Sequence, residues 1–145
     1  MLFRSRNKIA LVTGSTKGIG FGIARALAAE GATVILNGRS QSSVDTAVRQ
    51  IGSGARGVAA DVSTAAGCAA LIAQAGHVDI LVNNAGIFEP KAFADIPDAD
   101  WERFYQLNVM SGVRLTRALF PGMLQRNWGR VIFVSSESGD RKSVV

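Results

Sequence analysis

Three glycines at a fixed spacing follow the first apolar run of the chain. Gly14, Gly18 and Gly20 stand in the segment TGSTKGIG and read G-x-x-x-G-x-G. In such a loop the first glycine permits a sharp turn off a strand, the second lets the backbone approach a pyrophosphate, and the third lets a helix pack closely on a sheet. The N–H groups at the start of that helix can bind phosphates. The spacing therefore predicts a dinucleotide site, with a purely structural turn as the alternative.

Polar residues follow the later apolar runs of the chain, where strands would end. Asp61 follows the third run, Asn84 stands in NNAG after the fourth, and Ser136 follows the fifth, three residues before Gly139. Asn108 lies in a long segment with helical spacing. Three of these four residues also have an ordinary interpretation: Asp61 as a helix cap, Asn84 as a turn residue, and Asn108 as a polar residue inside a helix. Their order along the chain favours a shared site.

The elements that would position these residues alternate between short apolar runs and helical stretches. Strands are predicted at residues 8–13, 33–37, 56–60, 79–82 and 130–135. Helices are predicted at residues 18–30, 42–51, 63–75 and about 96–125; Ser63 would cap the third, and Pro121 could kink or shorten the fourth. This alternation predicts parallel strands joined by right-handed crossovers. The expected fold class is α/β, a Rossmann-like doubly wound parallel sheet in the order 3-2-1-4-5, truncated after its fifth strand.

With these motifs the sequence resembles the short-chain dehydrogenase/reductase family, whose fingerprint is T-G-x-x-x-G-I-G. The resemblance covers roughly residues 7–139, nearly all of what we take to be one domain. It implies that Asp61 contacts the adenine of the cofactor and that NNAG steadies the central sheet and lines the cofactor site. The residues it assigns to cofactor binding are Gly14, Ser15, Lys17, Gly18, Ile19, Gly20, Arg39, Asp61, Val62, Asn84, Ala85 and Gly86. It assigns catalytic roles to Asn108 and Ser136.

The end of the second predicted strand indicates which nicotinamide cofactor is preferred. Enzymes that use NAD carry an acidic residue there, which binds the ribose 2′-hydroxyl and would repel a 2′-phosphate. This chain has Asn37-Gly38-Arg39 instead, and the guanidinium of Arg39 can pair with a 2′-phosphate. Lys17 resembles the second basic residue of the family's NADP-preferring members. We expect NADP rather than NAD; the alternative is that both side chains are ordinary solvated charges.

The Tyr and the Lys that complete the family's catalytic group are missing from the sequence. The family uses a Tyr-x-x-x-Lys motif, in which the Tyr exchanges a proton with the substrate oxygen while hydride moves at the nicotinamide. Tyr105 is the only tyrosine here and lies in the wrong element. For the parent protein the resemblance implies NADPH-linked reduction of a small carbonyl compound, or the reverse oxidation of an alcohol. We expect the chain as written to be inactive; the alternative function is a non-catalytic nucleotide-binding fragment or a regulator.

Composition and charge favour a globular protein and argue against several other classes. Apolar residues make up 48% of the chain, and no apolar run is long enough for a membrane span. The net charge of +5 comes from scattered basic residues, so no nucleic-acid partner is expected. Cys68 and His77 are the only residues of their types, so no metal site and no intramolecular disulfide are expected, and a cytoplasmic protein is indicated. By resemblance, the parent protein is a homodimer or a homotetramer.

The two ends of the chain carry short segments whose codons can match a laboratory sequence. Residues 140–145 can be encoded by GAT CGG AAG AGC GTC GTG, and residues 1–5 by GTG CTC TTC CGA TCT. Both strings belong to common short-read sequencing adapters. We therefore expect residues 1–5 and 140–145 to be non-native, and other codons at these positions in the source DNA would contradict this.

Overall fold

The structure, a computed structural model, describes residues 5–136. Its strands are β1 (Ile9–Val12), β2 (Thr33–Gly38), β3 (Ala55–Ala59), β4 (Ile80–Asn83) and β5 (Arg130–Phe133). All pair in parallel and form one sheet in the order β3-β2-β1-β4-β5, which confirms the predicted fold class and strand order. Residues 1–4 and 137–145, with Gly139 and most of the positions expected to be non-native, lie outside the described residues.

Helices connect the strands and cover the sheet. They are α1 (Gly18–Ala29), α2 (Gln41–Ile51), α3 (Ala65–Ala75), α4 (Asp98–Tyr105) and α5 (Ser111–Gln125). A π turn, Gln106–Met110, joins α4 to α5, and we call the three together the long helix. A short 3₁₀ turn, Phe93–Asp95, precedes it. Within residues 5–136, no helix combines the length and the apolar character that a bilayer crossing requires.

The strands are almost wholly apolar because each face of the sheet is packed against helices. On one face, Leu11 of β1 packs in a cluster with Leu71 of α3 and Leu115 of α5. On the other face, Val12 packs in a second cluster with Ala24 of α1, and α2 adds to the same layer. Fully burying a large apolar side chain stabilises the fold by about 1.5–3 kcal/mol. The two-sided core therefore fixes the sheet whose edge carries the loops described below.

The start of the long helix differs from the prediction. It begins at Asp98, whereas the sequence pattern predicted a start near Ile96. Ile96 has extended backbone angles, with φ −88° and ψ 107°. It precedes Pro97, and a residue before proline is disfavoured in the helical region of backbone space. The proline therefore delays the helix until the residue that follows it.

The π turn in the middle of the long helix was not predicted. In the π turn the N–H of Ser111 bonds the carbonyl of Gln106, five residues back instead of four. Pro121 lies inside α5, and the helix continues past it to Gln125, so Pro121 does not shorten the helix. The π turn, Gln106–Met110, therefore interrupts the α-helical pattern at residues that include no helix breaker.

Two further boundaries need correction. Thr64, not Ser63, caps α3: its hydroxyl oxygen accepts the N–H of Gly67 at 2.9 Å. Ser63 instead donates its hydroxyl to the carboxylate of Asp61 at 2.7 Å. The fifth strand ends at Phe133, two residues earlier than predicted.

Candidate functional site

A cleft of about 230 Å³ opens at the edge of the sheet where the parallel strands end. Loops that follow β1, β2, β3 and β4 form it, together with the π turn. The predicted cofactor-binding residues that line it are Gly14, Lys17, Arg39, Asp61, Val62, Asn84, Ala85 and Gly86. Residues that line it without having been predicted are Thr16, Asn37, Gly38, Ala60, Ile87 and Leu107. Ligands of open parallel sheets bind at this carboxyl edge.

Asn84 and Thr13 hold the loop after β1 in shape. Nδ2 of Asn84 donates to the carbonyl oxygens of Thr13 at 2.9 Å and Gly14 at 3.1 Å. Oγ1 of Thr13 accepts the N–H groups of Asn84 and Ala85, both at 3.0 Å. These bonds join the loop after β1 to the loop after β4, so Asn84 is more than a turn residue. Thr13, the first residue of the TGSTKGIG segment, is buried beneath the cleft, and no role for its side chain was predicted.

The glycines let backbone and helix approach each other closely. Gly14 and Gly18 have φ angles of 59° and 61°, which side chains on L residues disfavour. A Cβ on Gly20 would lie 2.4 Å from Nδ2 of Asn84 and 2.6 Å from the carbonyl oxygen of Gly14. Helix α1 can therefore begin against the loop only because Gly20 has no side chain, as its position in the motif predicted.

Ser15 and Asn37 connect the loop after β1 to the ends of β2 and β3. The hydroxyl of Ser15 donates to the carbonyl of Val12 at 2.6 Å and accepts the N–H of Asn37 at 3.0 Å. Nδ2 of Asn37 donates to the carbonyls of Val58 at 3.2 Å and Ala60 at 3.1 Å. Both side chains are buried. Ser15, predicted as a cofactor contact, does not line the cleft and uses its hydroxyl inside the protein.

Two basic side chains stand at the mouth of the cleft. Lys17 and Arg39 are exposed and line it. Within the described part of the chain neither forms an ion pair with a carboxylate. Ile19 was also predicted to contact the cofactor; it is 70% exposed on α1 and does not line the cleft. Gly18 and Gly20 likewise lie at the start of α1, outside the cleft wall.

Asp61 lines the cleft beyond the end of β3. Its Oδ1 accepts both the N–H of Ser63 at 3.0 Å and the hydroxyl of Ser63 at 2.7 Å. Asp61 is therefore not the cap of α3, which was the alternative interpretation.

Val62 follows Asp61 and is buried, and its carbonyl accepts the thiol of Cys68 at 3.2 Å. Burial raises the pKa of the Cys68 thiol, which keeps it protonated and unreactive.

Asn108 lies in the π turn and holds the loop after β4. Its Oδ1 accepts the N–H of Ile87 at 2.8 Å, and its Nδ2 donates to the carbonyl of Ile87 at 3.0 Å. Ile87 lines the cleft, so Asn108 shapes the cleft through the backbone of Ile87.

Ser136 is exposed and follows β5, which pairs with β4. Because the strands are parallel, Ser136 leaves the sheet at the same edge as the cleft.

Ion pairs fasten the loop between β4 and α4 to α4. Arg103 donates to the two carboxylate oxygens of Glu89 at 2.8 and 2.6 Å, and to Asp100 at 3.2 Å. The hydrogen bonds from Arg103 lower the pKa of Glu89. Phe88 and Phe93 of the same loop are 85% and 82% exposed. The loop is therefore tied down through its charged side chains while it presents aromatic rings to solvent.

Fold and site together define a Rossmann-type dinucleotide-binding domain, with a glycine loop at the carboxyl edge of a parallel sheet. A family model described as short chain dehydrogenase matches residues 8–145. The chain belongs to the short-chain dehydrogenase/reductase family, as the motifs predicted.

Curated relatives and solved structures agree with this assignment. The chain is 48% identical over 143 residues to the uncharacterized oxidoreductase YvaG of Bacillus subtilis (strain 168), covering 95% of this chain and 54% of YvaG. It is 44% identical over 141 residues to the D-beta-hydroxybutyrate dehydrogenase of Cupriavidus necator, covering 91% and 54%. The structure of L-sorbose reductase from Gluconobacter frateurii, complexed with NADPH and L-sorbose, matches with a TM-score of 0.82 at 37% identity, covering 88% and 52%. The chain thus spans about half the length of these relatives.

Proposed function

We propose that this chain is the cofactor-binding part of an NADP(H)-dependent oxidoreductase that interconverts a small carbonyl compound and an alcohol. The observation that carries the proposal is the cleft in which the glycine loop, NNAG and Asp61 meet. Lys17 precedes α1 and makes no side-chain capping bond. The first N–H groups of α1 are therefore available to a pyrophosphate. The residues present fit a dinucleotide.

The proposed preference for NADP(H) over NAD(H) rests on Lys17 and Arg39. Both line the cleft without a carboxylate partner in the described residues, and a guanidinium can bind a phosphate through two parallel hydrogen bonds. The last residue of β2 is Gly38, so no acid there favours a ribose 2′-hydroxyl. The solved L-sorbose reductase is complexed with NADPH, which is consistent with this preference.

Asn108 and Ser136 are the catalytic residues that we propose this chain contributes. The Ser136 hydroxyl would orient the substrate oxygen, and Asn108 would support a water that relays the proton. Bound NADPH supplies the hydride. The Tyr and Lys that would exchange the proton are absent from the chain as written, so we expect no turnover from it.

The proposed substrate is a small hydroxyl or carbonyl compound. Two relatives are named as a D-beta-hydroxybutyrate dehydrogenase and an L-sorbose reductase, and both names describe such compounds. We propose a cytoplasmic location because the single cysteine, Cys68, is free and buried, as suits a reducing compartment.

An apolar stripe on the long helix supports the proposed homodimer or homotetramer of the parent protein. Its exposed side chains are Trp101, Tyr105, Val109, Val113, Phe120 and Leu124. At about 100° per residue, and with one extra residue accommodated in the π turn, they fall within about 60° of one another around the helix axis. An exposed apolar surface of this kind is typical of an interface between subunits.

Titration of the purified chain with NADPH and with NADH tests the cofactor proposal. We expect NADPH to bind at least about tenfold more tightly, because only NADPH carries the 2′-phosphate that Lys17 and Arg39 can bind. Equal affinities would refute the preference. Binding of neither nucleotide would refute the cofactor-binding function itself.

Sequencing the gene beyond the codon for Gly139 tests the catalytic proposal. We expect a Tyr-x-x-x-Lys motif downstream of Ser136, and NADPH-dependent carbonyl reduction by the protein that includes it. If the motif is absent, the alternative holds, and the chain is a non-catalytic nucleotide-binding fragment or a regulator.

A further inference from the structure

Arg114 lies in α5, shortly after the π turn, and its guanidinium contacts two other segments. Nη1 donates to the carbonyl oxygen of Ser63 at 3.3 Å, and Nη2 donates to Oε1 of Gln106. Ser63 belongs to the loop after β3, and Gln106 is the first residue of the π turn. Arg114 is partly buried between them. One side chain therefore bridges two segments that are distant in sequence and that both border the cleft.

We propose that Arg114 is a positioning residue that fixes two walls of the cofactor cleft relative to each other. One wall is the loop that carries Asp61, and the other is the π turn that carries Asn108. The inference rests on the proposed binding of NADP(H), and it adds to that function a residue outside the cleft. Arg114 does not line the cleft and would act through the residues it holds.

The first wall is reached through Ser63. The N–H and hydroxyl of Ser63 both bond the carboxylate of Asp61, at 3.0 and 2.7 Å. Asp61 lines the cleft at the side where the adenine is expected. When Arg114 holds the carbonyl of Ser63, it therefore restrains the turn that orients the carboxylate of Asp61.

The second wall is reached through Gln106. The next residue, Leu107, lines the cleft. Asn108 follows and is bonded in both directions to the backbone of Ile87, which also lines the cleft. A shift of Gln106 would therefore move Leu107, and it would also displace the two hydrogen bonds between Asn108 and the backbone of Ile87.

The bond between Arg114 and Gln106 depends on the π turn. In a regular α-helix, residues eight apart point about 80° away from each other. The π turn accommodates one extra residue, so these two take the relative orientation of residues seven apart, which differ by only about 20°. The bond therefore stabilises the π geometry over the α-helical one.

An arginine is suited to this position because its planar guanidinium offers several N–H donors in a fixed fork. It can satisfy the backbone carbonyl of Ser63 and the side-chain amide of Gln106 at the same time. A lysine carries the same charge but presents a compact ammonium without that fork. Arg114→Lys therefore separates the effect of the charge from the effect of the bridge.

NADPH titrations of the wild-type chain and of Arg114→Met, Arg114→Lys and Arg117→Met test the proposal. Arg117 is exposed in the same helix, and its replacement removes the same charge without touching the bridge. We expect both Arg114 variants to bind NADPH about tenfold more weakly, because binding must then restore the order that the lost hydrogen bonds no longer impose on the cleft. We expect Arg117→Met to stay within about twofold of the wild type, as is usual for a surface substitution.

Hydrogen exchange at the amide of Ile87, measured by NMR on the ligand-free variants, provides a second readout. We expect faster exchange in Arg114→Met and in Gln106→Met, but not in Arg117→Met, because only the first two lose the bridge. Wild-type NADPH affinity in both Arg114 variants would overturn the proposal. So would weaker binding without a change at Ile87, since Arg114 would then act by another route.

The two proposals fail in different ways. If the wild-type chain binds no NADPH, the proposed function fails, and the Ile87 exchange rates alone decide the role of Arg114. If the wild-type chain binds NADPH and the Ile87 amide exchanges equally in all variants, the proposed function stands and the bridge has no positioning role.

Discussion

Arg39 stands at the mouth of the cleft, directly after the glycine that ends β2. In the described residues it has no carboxylate partner, so removing it leaves no buried charge unpaired. Its effect on binding should therefore report its own contact with a ligand. That contact would be with a group present in NADPH and absent from NADH, the 2′-phosphate.

We predict that Arg39→Ala weakens NADPH binding about tenfold or more and leaves NADH binding nearly unchanged. Isothermal titration calorimetry with both nucleotides measures this. Arg25→Ala is the matched control, because Arg25 is an exposed arginine on the neighbouring helix α1 and does not line the cleft. If Arg39→Ala lowered the affinities for NADPH and NADH equally, or if Arg25→Ala lowered the NADPH affinity as much, Arg39 would not be the residue that binds the 2′-phosphate.

The roles of two polar residues beneath the cleft could not be predicted from the sequence. Asn37 bonds the carbonyls of Val58 and Ala60, which lie more than twenty residues further along the chain. Thr13 bonds the N–H groups of Asn84 and Ala85, about seventy residues away. Motif spacing reports on contacts along the chain, whereas these bonds depend on which strands become neighbours. Gly14 and Gly18 were identifiable because their positive φ angles are a local constraint.

At the level of elements, helix α1 offers two glycines in opposite situations. A Cβ on Gly20 would press against the carbonyl oxygen of Gly14 and the amide of Asn84. A Cβ on Gly22, two residues further on in the same helix, would meet no atom within 4 Å. The same substitution therefore tests close packing at one position and helix propensity at the other.

We predict that Gly20→Ala lowers the free energy of unfolding by about 1–3 kcal/mol, the usual cost of overpacking. Gly22→Ala should raise it by about 0.5–1 kcal/mol, because alanine favours the helix and restricts the unfolded chain. Urea denaturation of the two variants measures both changes. The packing argument would be wrong if Gly20→Ala were as stable as the wild type.

Asp79 ties the amino ends of three strands together. Its carboxylate accepts the N–H of Ile9 at 3.0 Å, and its carbonyl accepts the N–H of Arg130 at 3.0 Å. His77 bonds the other carboxylate oxygen at 2.8 Å. Burial alone would raise the pKa of Asp79, but the bonds from Ile9 and His77 outweigh it and hold the pKa below its usual range.

We predict that ionised Asp79 stabilises the fold above the usual aspartate pKa of about 3.9. Because its pKa is lower in the folded chain than in the unfolded chain, this stabilisation is lost as the pH falls below that value and through the folded-state pKa. Asp79→Asn should therefore lose less stability than the wild type over this acidic range, measured by denaturation at a series of pH values. Asp95→Asn, which changes an exposed carboxylate, is the control and should show the same pH dependence as the wild type. If the free energy of unfolding depended on pH equally in all three proteins, Asp79 would not be the group responsible.

The sequence was informative about the order of elements and less so about how they begin and bend. Strand order followed from apolar runs and crossover rules, which act over the whole domain. The π turn could not be predicted, because Gln106–Met110 fits an α-helical pattern as well as its neighbours do. What distinguishes it are bonds made across space, from Asn108 to Ile87 and from Arg114 to Gln106. The cap of α3 was misplaced by one residue because Ser63 and Thr64 are equally plausible caps.

At the level of the whole molecule, the π turn also aligns the apolar stripe. Without its extra residue, the side chains before and after it would be turned about 100° apart around the helix. With it, Trp101 and Leu124, at opposite ends of the stripe, share one face. A straight apolar face of this length suits the antiparallel packing of the same helix from a second copy.

We predict that the chain forms a dimer in solution and that Val113→Glu converts it to a monomer. A carboxylate at Val113 would be buried without a partner in the interface, which costs several kcal/mol. Ala118→Glu is the control, because Ala118 is exposed on α5 but turned away from the stripe. Size-exclusion chromatography with light scattering measures the mass; a wild-type monomer, or a dimer of Val113→Glu, would contradict the proposed interface.

Loops that follow four different strands form the walls of the cleft. A bound ligand would therefore stabilise the folded chain and slow its degradation. A molecule held there bridges the ends of β1, β2, β3 and β4, and none of these ends keeps its place in the unfolded chain. A free ligand at a hundred times its dissociation constant adds about 2.7 kcal/mol to the free energy of unfolding. In a cell, the fraction of chains open to proteases would then fall about a hundredfold as the nucleotide pool rises to that level.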